Sequence, residues 1–70
     1  MIPLSMADTE KEVIIRKIGG NSEVKKHLED LGFHVGGTAS VVSRLGDNVI
    51  VKVKESRIAV SEELARKIMV

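Results

Sequence analysis

The segment Leu45-Gly46-Asp47-Asn48 stands between two β-branched runs, Ala39–Arg44 and Val49–Val53. Its turn-forming residues commit the middle of the chain to a β-hairpin. In the second run Val49, Val51 and Val53 fall on one face and Ile50 and Lys52 on the other, the period of a strand with one face buried. A further strand is expected at Arg57–Val60, after a short turn near Glu55. Another is expected at Glu12–Ile18, where Gly19-Gly20-Asn21 ends it with residues that tolerate positive φ.

Between the first strand and the hairpin, Ser22–Leu31 has helical spacing. Val24, Leu28 and Leu31 recur at i, i+4, i+7 and make one apolar stripe. Asn21 or Ser22 can cap the free N–H groups, and Glu23 suits the positive end of the helix. Gly32 is placed to take the left-handed conformation that stops a helix, with Phe33 packing back on Leu28. Near the end, Ser61 caps one helical turn, flanked by Glu62 and Glu63 before and Arg66 and Lys67 after. Ile68-Met69-Val70 is then a short final strand. Residues 1–10 read as an arm in which Pro3 forbids a regular ladder bond and Leu4 and Met6 are expected to hold the arm to the core.

Strand, helix, three meandering strands, helical turn, strand is the order of a mainly β domain. Five short strands with one face to bury suit a small closed barrel, since closure removes exposed edges. The sequence therefore predicts an SH3-like five-stranded barrel, with one α-helix inserted after the first strand and a short helical turn before the last, as one domain over 1–70.

Composition narrows the function. With 70 residues the chain has room for one domain of modest stability, on the order of 3–5 kcal/mol. It has no cysteine, so neither a disulfide nor a cysteine-based zinc site can brace it, and Phe33 is its only aromatic residue. Eleven basic and ten acidic residues leave a net charge of +1, and with one aromatic there is no footprint for nucleic acid or an anionic membrane. The longest uncharged stretch, Phe33–Ser43, is too short to insert into a bilayer, and the N-terminus does not read as a signal peptide. A cytoplasmic location is expected.

No phosphate loop, dinucleotide fingerprint or H-E-x-x-H sequence is present, so catalysis and a bound cofactor are not expected. Gly19-Gly20-Asn21-Ser22 could hold an anion at a helix N-terminus, but a plain strand-to-helix turn explains the glycines. Glu23 and His27 stand at i, i+4, a spacing that can grip a metal, and His34 follows in the turn; two solvated histidines are the plainer reading, and no metal site is assigned. The stripe Val24, Leu28 and Leu31 reads as core, and with Phe33 its edge could also form a rim for a partner. Leu28, Leu31 and Phe33, with Arg57, are the candidate partner-binding residues. The apolar start Met1-Ile2-Pro3-Leu4 either covers the barrel bottom or docks on another copy in self-association.

Several segments occur together in a fixed order: Pro3-Leu4-Ser5, Ile18-Gly19-Gly20, Leu28-Glu29-Asp30-Leu31-Gly32-Phe33 with Val35-Gly36, and Ser56-Arg57-Ile58-Ala59-Val60-Ser61 with Leu64-Ala65 and Ile68-Met69-Val70. The set resembles the FeoA family over essentially the whole chain. That family shares an L-G-F-x-x-G-type turn after the helix and an R-[IL]-A-[LV]-type strand before the last turn. It often carries glycine near position 9 or 10, where this chain has Thr9-Glu10, and in the turn before the second motif, where this chain has Glu55. The resemblance implies a non-enzymatic cytosolic accessory protein of bacterial ferrous iron uptake. Such a protein docks on FeoB, the membrane transporter that carries Fe²⁺ and has a GTPase domain, and modulates transport. The same fold forms a regulatory domain in iron- and manganese-dependent repressors. The alternative is therefore a metal-sensing domain that binds Fe²⁺ or Mn²⁺ and signals to a partner.

Overall fold

The structure, a computed structural model, describes residues 1–70. Its strands are β1 (Glu12–Ile14), β2 (Lys17–Ile18), β3 (Thr38–Leu45), β4 (Asn48–Val53), β5 (Ser56–Ser61) and β6 (Ile68–Met69). Helix α1 spans Ser22–Asp30 and the short α2 spans Glu62–Ala65. An antiparallel sheet runs in the order β1-β3-β4-β5, and β2 pairs with β6 in a second, two-stranded sheet.

The expected first strand is thus split. Ile15 donates to the Gly37 carbonyl at 2.8 Å and accepts from the Gly36 N–H at 2.7 Å, whereas the next N–H, that of Arg16, donates to Met69 at 2.8 Å. One extended stretch therefore changes partners within two residues and ties both sheets together. The ladder does not close into a ring, because no pairing joins β5 to β6. The mainly β architecture with two helices agrees with the sequence reading, and the strands are arranged in two antiparallel sheets in place of one closed ladder.

The alternation read in the sequence sets the core. Ala39, Val41, Val49, Val51, Val53 and Val60 point inward and are buried. A bulge between Val41 and Ser43 interrupts the β3–β4 register at Val42, so Ser43 rather than Val42 faces Ile50. Leu4, Ala7, Ile15, Ile18, Leu28, Phe33, Ala65 and Ile68 complete the interior.

Helix α1 begins where its capping chemistry places it: the Asn21 side-chain oxygen accepts from the Val24 N–H at 2.9 Å. It ends at Gly32, at φ 108°, whose N–H donates to the Glu29 carbonyl at 2.9 Å while that of Phe33 donates to Leu28 at 3.0 Å. Helix α2 is capped by Ser61, whose hydroxyl accepts from the Leu64 N–H at 3.2 Å.

The arm is held partly as expected. Leu4 is buried, but Met6 is 71% exposed and contributes nothing to the core. The hold comes instead from Arg44, whose guanidinium donates to the Ser5 carbonyl at 3.1 and 2.7 Å and to the Ala7 carbonyl at 2.8 Å. Ile2 and Val70 exchange backbone hydrogen bonds of 2.9 and 2.8 Å, which clasps the two ends of the chain.

Candidate functional site

The four residues singled out for partner binding do not share a surface. Leu28 and Phe33 are 0% exposed. The turn that stops α1 folds Phe33 back under the helix, so both belong to the core; this corrects the expectation of a docking rim made by their side chains. Leu31 is half-buried against the core at the helix C-terminus. Its neighbour Gly32 packs beside β4, where a Cβ would make ordinary contact with Val53 Cγ1 at 3.4 Å. Arg57 is exposed on the opposite face of the sheet, because its cross-strand partner Lys52 alternates with the inward Val51 and Val53.

The outward face carries a polar arrangement that the sequence did not disclose. Cross-strand register aligns Glu12, Ser40, Lys52 and Arg57 in one row over all four strands of the larger sheet. Beside this row Glu10, Glu12, Thr38, Ser40, Lys52 and Lys54 surround a shallow depression of about 240 Å³. Carboxylates stand at one side and ammonium groups at the other. Only register brings residues so distant in sequence together, and register depends on turn geometry and a bulge rather than on any local motif.

The remaining candidates are explained locally. Glu23, His27 and His34 are exposed, and no group of three or more His, Cys, Asp or Glu side chains gathers around a common point. Gly20, at φ 95°, would place a Cβ 2.9 Å from Val24 Cγ1, so close packing of the helix accounts for it. Exposed apolar side chains occur at Met1, Ile2 and Met6 in the N-terminal arm, at Ile14 and Leu45, and at Val35 in the turn that follows α1. No helix is long and apolar enough to cross a membrane.

These features define a small β domain whose polar side chains lie on its surface and whose interior is wholly apolar. Its sequence matches the FeoA domain model over residues 2–70. A relative from Methanocaldococcus jannaschii, provisionally named Fe(2+) transport protein A, is 36% identical over 100% of this chain and 85% of its own length. The chain belongs to the FeoA domain family, which connects it with ferrous iron transport. Its fold is similar to the crystal structure of an iron uptake regulatory protein, FeoA, with a TM-score of 0.88 and 25% identity over 96% of this chain and 89% of that one. It is also similar to ScaR with bound Zn²⁺, with a TM-score of 0.84 and 20% identity over 97% of this chain but 35% of that chain, a likeness of fold alone.

Proposed function

We propose that this protein is a cytosolic, non-enzymatic accessory component of ferrous iron uptake that docks on an FeoB-type transporter and modulates Fe²⁺ transport. The observation that carries this reading is the family match along nearly the whole chain, together with the relative named for Fe²⁺ transport. The domain is read as SH3-like, with a sheet and helix exit presented to the partner. Arg57 and the exposed part of Leu31 are the contact residues of this reading, while Leu28 and Phe33 support the surface from beneath.

The test is capture of the detergent-solubilised transporter by this domain, with Leu31→Glu and Arg57→Glu checked for folding by circular dichroism. Capture by the native chain that falls sharply in either folded variant supports docking through that residue. Capture unchanged in both removes them as contacts. No capture, with and without guanine nucleotide and Fe²⁺, overturns the docking role.

A metal-sensing regulatory domain is the second reading, favoured by the likeness of fold to ScaR with bound Zn²⁺. Its ligands would be the helical pair Glu23 and His27, with His34 added only if metal draws the exit turn toward them, since the three are not gathered in this structure. Calorimetric binding of Fe²⁺ or Mn²⁺ at micromolar metal that disappears in His27→Ala would favour it, and absence of any heat of binding would remove it.

A further inference from the structure

The edge strand β5 has backbone groups without a partner. The Glu62 N–H donates to the Asp47 carbonyl at 2.8 Å, which makes that opposed pair a hydrogen-bonded one. Hydrogen-bonded and non-bonded pairs alternate along an antiparallel ladder, and this one runs without a shift from Asn48 opposite Ser61 to Val53 opposite Ser56. Val60, Ile58 and Ser56 therefore bond to β4, and the N–H and C=O groups of Arg57 and Ala59 point away from the sheet. Both residues are exposed, and no turn, loop or side-chain hydrogen bond uses their backbone groups. The strand extends about 20 Å and contains no proline or bulge to blunt the edge; Arg57 is its one charged residue. The other edge of the sheet differs: β1 has three residues, and beyond it Thr9 and Glu10 cover β3 at Val41.

Charge beside the edge selects its occupant. Arg57 and its cross-strand neighbour Lys52 both project outward and form the positive centre of this edge, while the turn carries Lys54 with Glu55, and Glu62 and Glu63 lie past the far end of the strand. A strand added beside β5 places a side chain opposite Arg57, about 5 Å away. A second copy of this chain would offer β5 again, and Ser56–Ser61 contains no carboxylate to meet the arginine.

We propose that β5 is a strand-addition site for an extended acidic peptide segment of a partner protein, with the Arg57 and Ala59 backbone supplying the hydrogen bonds and Arg57 and Lys52 selecting its carboxylates. Main-chain bonds supply affinity in this mode, and alternate side chains supply specificity. The proposal rests on the docking role only for the identity of the partner.

The test uses the full chain and a labelled, end-capped peptide of about 8 residues that alternates valine and glutamate, a typical strand length. Binding is expected to shift the Arg57 and Ala59 amide resonances and to slow exchange of their protons. Arg57→Glu should weaken binding about tenfold or more and improve binding of the matching valine–lysine peptide. Ala59→Pro, which removes an N–H the β4 ladder does not use, should abolish binding in a folded chain. A glutamate peptide N-methylated along one edge should fail against the unmodified protein, a readout that needs no variant to fold. Binding indifferent to Ala59→Pro and to N-methylation, or no shift at these amides, overturns the proposal. So does concentration-dependent dimerisation through β5, which would make a second copy the occupant. Peptide binding without transporter capture would sink the docking role and leave this site standing. Capture that ignores Ala59→Pro, with no peptide binding at these amides, would do the reverse.

Discussion

Glu10 and Lys54 are the two residues other than glycine with positive φ, at 63° and 56°. For an L-residue that conformation costs about 1–2 kcal/mol, from the approach of Cβ to the neighbouring carbonyl. Lys54 opens the two-residue turn between β4 and β5, the position that Gly46 fills at φ 59° in the preceding hairpin. Lys54→Gly should therefore raise stability by about 0.5–1 kcal/mol, less than the full strain because glycine also loosens the unfolded chain. In a domain this size the midpoint of thermal unfolding should rise by about 2–8 °C. Glu10→Gly should act alike, provided that its 2.6 Å hydrogen bond to the Val41 carbonyl persists. Both positions fall at or beside places where the FeoA pattern favours glycine. The local sequence gave no sign of either, since glutamate and lysine carry no preference for this backbone and only comparison with a family marks them.

At the scale of elements, α1 was the most legible part of the chain. Asn21, Gly32 and Phe33 fix its two ends through contacts between near neighbours, which a local pattern records faithfully. Gly32→Ala should destabilise the domain by about 1–3 kcal/mol, since φ 108° strains any side chain, while the new Cβ would meet Val53 only at ordinary contact distance. The stripe itself divides. Leu28→Ala should cost about 2–5 kcal/mol and come close to unfolding a domain this small, whereas the half-buried Leu31 should lose distinctly less on the same change; urea denaturation of both variants reads the difference. Strand boundaries were harder to see. Glu12–Ile18 is continuous in β-propensity, and its split depends on which distant carbonyl accepts each N–H, that of Gly37 or of Met69. The bulge at Val42 is hidden for the same reason, because valine suits either pairing.

For the whole molecule, the core list was largely visible in the alternation of β4 and the aliphatic positions of α1, but the assembly of the two sheets was not. Nothing in the sequence near Arg44 indicates that it reaches residues almost forty positions earlier. Arg44→Ala should cost about 1–2 kcal/mol through loss of hydrogen bonds from a charged donor. Faster hydrogen exchange at the Ala7 and Glu10 amides than in the native chain would trace the loss to the arm. Unchanged exchange there would show that the buried Leu4 and Ala7 and the backbone bonds at Ile2 and Glu10 hold the arm without Arg44. Electrostatics contributes little else, since the ion pair Arg66–Glu62, at 3.8 Å, is exposed at both partners.

The clasp between Ile2 and Val70 has a topological consequence. Because the ends meet through a reciprocal pair of hydrogen bonds, the polypeptide is nearly a closed loop, and a few linking residues could join them without disturbing either sheet. Circular permutation should then be tolerated, with the new opening at the exposed Gly46-Asp47 turn, where a cut severs no ladder bond within β3 or β4. The fold is in that sense independent of where its chain begins, and could be carried as an insert within a longer polypeptide with both junctions at one place on its surface.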